Sequence, residues 1–527
     1  MSPPASLGHN RGRSDNRRPH FLPGAPDYRL AINKAFAASA RAYPSLERHN
    51  LSVPQNTYNE VLYETSARFS THPDRLAAVA RLFGMEPAPV DRCRYLEIGC
   101  GNGSHIVSMA YYLPESRFVG VDLAEVPVAT GERMRAALQI GNLTLRVGDL
   151  CDIGEEWGEF DYIAAHGVYS WVPAEARDAL LRVCKEHLSR NGVAFISYNI
   201  LPGHHICQFL RNLMLFHTRD IQDSGERLQQ ARWSLQFVAG SPWLPEVWRP
   251  LLESEIATLL KLPDAWLFHD DLSPVNHSVY FHEFVAHAGR HGLQYLGDAD
   301  PHEMFDPQGL LKPVSGGVIE REQYMDFLKA RRFRQTLLCH QSQKLEHRPL
   351  EDCMDRFLFS SLYHTREEGK IEGLRGVRIT PIHDAVHRIA AAMGKVYPLP
   401  LTFAELIPYA GSEAALRDIL TGMVLSGFAD FHVYHFPCQK VLSSKPAASR
   451  LARYQAIDSH RVANACFRVL ELDETSRQLL HLLDGSRTHR QIAEDLARVP
   501  SAPPLEEIEQ HLSGHLEWLA HATLLEG

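Results

Sequence analysis

Four residues in the stretch YLEIGCGNGSH have the types and spacing to hold a small ligand. Glu97 is followed by Gly99, Gly101 and Gly103, directly after an apolar β-like run and before a helix-like segment. Glycines at such a position let the backbone turn tightly and approach a ligand closely, because no Cβ intervenes. A loop of this kind at the carboxyl end of a strand is typical of a nucleoside-cofactor site.

The loop differs from the two familiar phosphate-binding loops. Its spacing is not the Gly-x-Gly-x-x-Gly of dinucleotide-binding proteins, and it lacks the Lys-Ser/Thr pair of a P-loop. A cofactor with a neutral or cationic tail therefore fits better than one with a pyrophosphate.

Carboxylates follow the next two predicted strands. RFVGVDL ends in Asp122, where a carboxylate would accept hydrogen bonds from both ribose hydroxyls. RVGDL places Asp149 at the end of a third strand, within reach of an adenine amine. Leu123 and Leu150, which follow the two carboxylates, complete the predicted cofactor contacts.

Alternating strands and helices must position these residues. Between Arg94 and Asn199 the runs RYLEIG, RFVGVDL, LTLRVGDL, FDYIAAHGV and GVAFISYN alternate with helix-like segments. This order predicts an α/β fold with a Rossmann-like, doubly wound parallel sheet that is covered on both faces.

The remainder of the chain has a different texture. Residues 206–300 lack β-like runs and predict a helical segment, and REQYMDFLKARRFRQTLL predicts one helix on which KARRFR is a solvated face. Further on, LTFAELIPYA, SEAALRDILTGMVLSGFAD and FHVYHF follow the helix, helix, strand order of a winged helix.

Composition limits the classes of function. A hydrophobic content of 45 %, a charged content of 22 % and a net charge of −9 are those of a globular protein without an overall preference for nucleic acid. The nine cysteines form no Cys-x-x-Cys pair, which favours a reducing compartment and gives no zinc or redox motif. No apolar run of about 18 residues predicts a transmembrane helix.

The glycine loop and the two carboxylates resemble those of class I S-adenosylmethionine-dependent methyltransferases. The resemblance implies that Glu97 and the loop face the methionine moiety and that Asp122 faces the ribose. The stretches THPDRLAAVARLFGM, AHGVYSWVP, YFHEFVAHAGRHGLQYL and YMDFLKARRFRQTLLCH resemble bacterial methyltransferases with a methyltransferase regulatory domain. That group includes the rickettsial protein lysine methyltransferases that modify outer-membrane proteins.

The resemblance and the change in texture together predict five regions. They are a basic N-terminal arm over 1–45, an S-adenosylmethionine-binding domain over 46–212, a helical regulatory domain over 213–300, a helical connector over 301–380 and a winged-helix-like domain over 381–527.

The methyl acceptor is expected beside the fourth and fifth strand ends. Methyl transfer from a sulfonium needs alignment, exclusion of water and a deprotonated nucleophile. Tyr169, Trp171 and Tyr198 could form an aromatic wall that favours an ammonium by about 0.5 to 2 kcal/mol each, and Asn199 could orient an amine. The aromatic residues could equally pack the core, and His166 could lie beside the cofactor or act as a base.

Two sequence features differ from familiar patterns: the segment after the fifth strand and the histidines of HEFVAHAGRH. The rickettsial-type relatives have Tyr-Asn-Thr-Tyr-Pro-Gly-Trp after the fifth strand, whereas this chain has Leu201 and His204 at the later aromatic positions. In HEFVAHAGRH, His282 and His287 lie about 140° apart around a helix, unlike the ligand pair of a zinc protease. His287 and His291 do share a face, but we predict no metal site.

The sequence thus predicts an S-adenosylmethionine-dependent methyltransferase that N-methylates lysine side chains of a protein. The alternatives are a small-molecule acceptor, or a non-catalytic module that senses the cofactor and binds proteins. A nucleic acid partner is not expected, because AALRDILTGMVLSGFADF has Arg417 as its single basic residue. A cytoplasmic location and a protein substrate are expected, and the chain is compatible with a homodimer.

Overall fold

The computed structural model describes Tyr58, Val61, Tyr63 and residues 65–526 apart from 307–308, 347–349, 439–441 and 499–503. The predicted basic arm, residues 1–45, lies outside the described residues.

A seven-stranded sheet forms the centre of the first half of the chain. Its strands are β1 (Arg94–Ile98), β2 (Arg117–Asp122), β3 (Leu143–Val147), β4 (Phe160–Ala165), β5 (Leu188–Asn199), β6 (Leu293–Asp298) and β7 (Phe333–His340). Their spatial order is β3-β2-β1-β4-β5-β7-β6, in which the first five are parallel and β7 runs antiparallel to both of its neighbours. The predicted Rossmann-like sheet is confirmed.

Helices cover both faces of this sheet. They are α1 (Pro73–Leu82), α2 (Ser104–Tyr112), α3 (Glu125–Ala137) and α4 (Ala174–His187). Alternate residues of the strands bury their side chains on opposite faces, so that α1, α2 and α3 share one apolar core with the sheet and α4 shares the other.

Five more helices follow β5. They are α5 (His205–His217), α6 (Ser224–Ala239), α7 (Arg249–Leu259), α8 (Phe281–Arg290) and α9 (Val318–Lys329). The first three enclose an apolar core of their own, and a helical turn (Asp264–Trp266) with a π-helical turn (Leu267–Asp271) leads from them back towards the sheet. α8 packs its apolar side on the same face of the sheet as α4.

The prediction of one long helix over REQYMDFLKARRFRQTLL is wrong. α9 ends at Lys329, Ala330 has a left-handed φ of 45°, and the chain continues as β7. The guanidinium of Arg334 is buried and pairs with Asp326 (2.9 Å) and Glu322 (2.7 Å). The basic run therefore spans a helix-to-strand turn. Arg334 and most of Arg331 are buried among carboxylates, while Lys329 and Arg332 stay exposed in ion pairs with Glu303 and Glu255.

The C-terminal part contains two apolar cores. The first combines β8 (Leu358–Ser360), β12 (Leu401–Thr402) and β13 (Asp430–His432) with α10 (Asp384–Val396), α11 (Phe403–Ala410) and α12 (Glu413–Leu425). A small sheet of β9 (His364–Thr365), β10 (Ile371–Glu372) and β11 (Arg378–Ile379) adjoins it. Since β8 is the central strand of the sheet β12-β8-β13, the first C-terminal core begins before the predicted domain boundary at residue 381.

The second core is built from residues between Ala448 and Leu524. Its elements are α13 (Arg450–Gln455), α14 (Glu474–Leu482), α15 (His489–Leu496), α16 (Leu505–His521), the pair β14 (Ala447–Ala448) and β17 (Leu525–Glu526), and the pair β15 (Arg461–Ala463) and β16 (Val469–Glu471). Within the described residues, no helix combines the length and the apolar character that crossing a membrane requires.

Candidate active site

The glycine loop after β1 has a backbone that only glycine accepts easily. Gly99, Gly101 and Gly103 have φ values of 74°, 55° and 70°. A Cβ on Gly99 would lie 2.6 Å from Cγ2 of Val168, closer than real Cβ contacts allow. The loop thus brings bare backbone to the end of the sheet, at the N-terminus of α2.

Glu97 presents a buried carboxylate below this loop. Its Oε1 lies 3.7 Å from Nε2 of His105, while its Oε2 is buried and has no hydrogen-bond partner among the described residues. Burial, reinforced by the Asp122 carboxylate, raises the pKa of Glu97 well above its usual range. Burial also lowers the pKa of His105, so this imidazole is neutral and leaves Oε2 of Glu97 open to a cationic donor.

The carboxylates after β2 and β3 lie at the same edge of the sheet. Asp122 pairs with Val147 in the parallel register, so the two strand ends are adjacent. The Asp122 carboxylate accepts hydrogen bonds from the backbone N–H groups of Gly101 and Ala124, at 2.8 Å each. Asp149 accepts one from the N–H of Cys151 at 2.9 Å and is exposed. Each carboxylate keeps lone pairs for a ligand.

The two predicted leucine contacts differ in exposure. The side chain of Leu123 is 59 % exposed, whereas Leu150 is partly buried at the start of a short 3₁₀ turn. The structure therefore brings the predicted cofactor residues of the three strand ends together, with an apolar surface beside Asp122.

His166 follows β4 and stacks on Phe195, with ring centroids 6.0 Å apart. Burial and the positive charge of Arg68 lower the pKa of His166 to about 3. The imidazole is therefore neutral and a weak base at neutral pH, which favours a packing or cofactor-adjacent position over proton abstraction.

Tyr169 and Tyr198 lie in the core rather than on a substrate surface. Tyr198 has no exposed surface, stacks on Phe284 of α8 at 4.0 Å and shares a hydrogen bond of 2.8 Å with Thr336. Tyr169 is 3 % exposed and bonds to Nδ1 of His287 at 2.9 Å. The structure does not bring these two rings to the predicted acceptor wall, because both side chains point to the sheet face that α8 covers.

Trp171 and Asn199 meet at the backbone of Asp270. The indole N–H of Trp171 donates to the Asp270 carbonyl at 3.4 Å. Nδ2 of Asn199 donates to Oδ1 of Asn276 (3.1 Å), whose Nδ2 donates to the same carbonyl (3.0 Å). These hydrogen bonds fix the side-chain amide of Asn199. Oδ1 of Asn199 has no donor among the residues that the structure describes.

A carboxylate and two tyrosines that the sequence analysis missed complete this side of the site. The hydroxyl of Tyr63 donates to Oδ2 of Asp270 at 3.4 Å, and Tyr58 stacks on His269 at 4.0 Å. Burial and the neighbouring Asp271 carboxylate raise the pKa of Asp270 to about 7. Burial and then the charges of Asp270 and Asp122 raise the pKa of Tyr58.

Arg68 is a second residue that no motif revealed. Its positive charge contributes to the lowered pKa of His166 and partly offsets the raised pKa values of Glu97 and Asp270. Arg68 therefore lies within electrostatic reach of all three residues. Its guanidinium is partly exposed and makes no ion pair with another described residue. Neither Arg68 nor Asp270 belongs to a strand-end pattern, and the sequence contains no local signal for them.

Three family models match separate parts of the chain. The model described as a methyltransferase domain matches residues 96–192, the predicted methyltransferase regulatory domain matches 263–340, and the PKMT C-terminal winged helix domain matches 444–502. The first covers β1 to β5, the second contains Asp270 and α8, and the third falls within the last apolar core.

Two curated proteins of Rickettsia prowazekii (strain Madrid E) are similar in sequence. Uncharacterized protein RP789 is 38 % identical over 309 residues, 57 % of this chain, and the chain spans only 56 % of that protein's length. Uncharacterized protein RP028 is 35 % identical over 243 residues, which are 46 % of this chain and 96 % of RP028.

The solved structure of PKMT2 from Rickettsia typhi in complex with AdoHcy has a similar fold. It superimposes with a TM-score of 0.77 at 27 % identity, over 88 % of this chain and 100 % of PKMT2. Sequence, domain order and fold agree with the resemblance seen in the sequence, and the chain belongs to the family of class I S-adenosylmethionine-dependent methyltransferases that carry a methyltransferase regulatory domain.

Proposed function

We propose that this protein transfers the methyl group of S-adenosylmethionine to lysine side chains of a protein. The observation that carries the proposal is the largely buried carboxylate of Asp270, which accepts a hydrogen bond from Tyr63 and belongs to a turn whose backbone carbonyl accepts one from Trp171. An acidic group within an aromatic surface attracts an alkylammonium by charge and by cation–π interaction.

The cofactor side of the site fits S-adenosylmethionine. The unpartnered Oε2 of Glu97 suits the α-ammonium of the methionine moiety, and Arg68 suits its carboxylate. Asp122 would hold the ribose hydroxyls, with Asp149 and the exposed face of Leu123 beside the adenine. When bound, the cofactor supplies a methyl group on a positively charged sulfur.

Asp270 and Asn199 would prepare the acceptor. The ionised Asp270 carboxylate holds the incoming lysine ammonium, and its raised pKa makes it a better proton acceptor than an ordinary aspartate. The free Oδ1 of Asn199 accepts a hydrogen bond from the amine and so directs the nitrogen lone pair. The N–C bond then forms as the C–S bond breaks in line, and alignment by these groups supplies much of the rate.

The domain organisation supports this division of labour. Asp270 and Asn276 lie in the segment that the regulatory-domain model matches, so that segment supplies groups to the acceptor side rather than only a cover. The name PKMT2 of the rickettsial neighbour is the abbreviation used for protein lysine methyltransferases. We also propose the predicted division into domains, with the start of the C-terminal region moved ahead of β8, and a homodimer.

Product analysis tests the proposal. The full chain should be incubated with methyl-labelled S-adenosylmethionine and bacterial protein extract, with the Asp122→Ala variant as the matched inactive control. We expect label in protein that survives base and acid, and methyllysine in the hydrolysate. Label in small molecules, in nucleic acid or on other side chains would contradict lysine as acceptor, and absence of any label would favour a non-catalytic role.

A further inference from the structure

Three side chains outside the methyl-transfer site converge on the surface between α4 and α8. Oδ1 of Asp178, on α4, lies 3.1 Å from Nε2 of His287 and 3.0 Å from Nε2 of His291. The two histidines stand four residues apart, His287 in the last turn of α8 and His291 at its C-cap, so both lie on one side of the helix end. Within the described residues, this is the single group of three or more potential ligand side chains close enough to share a metal ion.

Two of the three ligand separations are near those of a tetrahedral metal site, and all three ligand atoms lie within 4.8 Å of one another. Zinc bonds to histidine nitrogen and carboxylate oxygen at about 2.0 to 2.2 Å, which places tetrahedral ligands roughly 3.3 to 3.5 Å apart. The present distances of 3.0 and 3.1 Å need to open by only a few tenths of an ångström. Since Asp178 is 63 % exposed at its side chain, its carboxylate can rotate to lengthen these two distances.

A buried hydroxyl already orients one of the ligands. Nδ1 of His287 lies 2.9 Å from the hydroxyl of Tyr169, whose ring belongs to the core. When Nε2 binds a metal, Nδ1 carries the proton and donates to this hydroxyl. Metal-binding histidines usually have such an outer partner, which fixes the ring and its tautomer.

We infer that Asp178, His287 and His291 form a binding site for a divalent transition-metal ion, with zinc the best match for a two-histidine, one-carboxylate set. A fourth position faces solvent and is open to water. The site joins the methyltransferase helix α4 to helix α8 of the regulatory segment. Through Tyr169 it also contacts the β4 loop that carries Trp171, although it takes no part in methyl transfer.

This inference revises the sequence expectation of no metal. The sequence pattern drew attention to His282 and His287, but His282 instead bonds to Oε1 of Gln323 at 2.9 Å. The third ligand, Asp178, comes from a helix more than 100 residues earlier in the chain, and only the packing of α4 against α8 reveals it.

Calorimetric titration of the full chain with zinc chloride, after dialysis against a chelator, tests the site. We expect one ion per chain, an affinity at least 10-fold weaker in the Asp178→Ala and His291→Ala variants, and a smaller loss in Tyr169→Phe. His511 and His515 offer a matched control, because they are also four residues apart on one helix but, among the described residues, belong to no group of three potential metal ligands. Their alanine variants should bind zinc as the wild type does.

Melting curves without metal establish that each variant is folded, and zinc should raise the melting temperature of the wild type more than that of His291→Ala. Equal zinc affinity in wild type, Asp178→Ala and His291→Ala would overturn the inference. So would binding that depends on His511 and His515 instead, since the three residues would then be only a hydrogen-bonded group.

Discussion

The two sides of the proposed active site are assembled in different ways. The cofactor side places Glu97, Asp122 and Asp149 at the ends of neighbouring parallel strands, so short sequence patterns position them. The acceptor side takes Asp270 from a π-helical turn and Tyr63 from the segment before α1, which are 207 residues apart. Local periodicity specifies the first side, whereas only long-range packing brings the second side together.

The largest expected effect comes from removing a strand-end carboxylate. We expect Asp122→Ala to weaken S-adenosylmethionine binding about 100-fold, because hydrogen bonds to a charged group contribute about 1.5 to 3 kcal/mol each. The same change also removes the acceptor for the N–H groups of Gly101 and Ala124. Isothermal calorimetry measures the affinity.

Asp149→Ala is the matched control, because the Asp149 carboxylate is exposed, and we expect its affinity loss to be less than about 10-fold. Equal binding by Asp122→Ala and wild type would show that the ribose assignment is wrong.

The acceptor side should respond separately. We expect Asp270→Asn to lower kcat/KM for a lysine acceptor about 30-fold, because the amide cannot hold an ammonium by charge or accept its proton. The affinity for S-adenosylmethionine should stay within about twofold. Steady-state kinetics with both substrates varied distinguish the two effects. Asp271→Asn is a matched control, because the Asp271 carboxyl is also largely buried and adjacent in sequence, but the charge of Arg211 partly offsets the rise in its pKa that burial causes. An equal loss of kcat/KM in both variants would contradict a specific role for Asp270.

The pH dependence of the reaction gives a finer comparison. Because burial raises the pKa of Asp270 to about 7, its ionised form costs folding free energy, and the stability gained from the neutral form is lost as the pH rises through about 7. Activity should change in the opposite sense, with kcat/KM rising through the same pH as the carboxylate forms. In Asp270→Asn this inflection should disappear, whereas Asp271→Asn should keep it at a lower pH, because the Asp271 carboxylate contributes to the raised pKa of Asp270. A profile that keeps its inflection in Asp270→Asn would assign the titration to another group.

Sequence patterns place the predicted cofactor residues at one edge of the sheet for a physical reason. Strands β1 and β2 are mostly apolar and β3 alternates apolar with polar residues, and the residues at the carboxyl ends of these parallel strands lie at one edge of the sheet. The same patterns failed for Arg334, because a basic run near a helix end contains no sign that Glu322 and Asp326 bury it. Asp270 was missed because its neighbours in the site, Tyr63 and Trp171, come from other parts of the chain.

One error could have been avoided from the sequence. Tyr198 and Asn199 are consecutive residues of β5, and consecutive side chains of a strand point to opposite faces. Tyr198 follows Ile196 and Ala194 into the core beneath α8, which places Asn199 on the other side. The alternation therefore allows only one of the pair to face the acceptor.

The smallest expected effect tests that assignment directly. We expect Tyr198→Phe to change kcat/KM by less than about twofold but to lower the free energy of unfolding by about 1 to 3 kcal/mol, because the buried hydroxyl of Thr336 loses its partner. Asn199→Ala should have the converse result, with kcat/KM about 10-fold lower, since an amide that orients the amine contributes about 1.4 kcal/mol to the transition state. Chemical denaturation and methyl-transfer kinetics on the two variants compare the residues. A large loss of activity in Tyr198→Phe without a loss of stability would indicate that the Tyr198 ring contacts the acceptor. Both residues of β5 would then face the substrate.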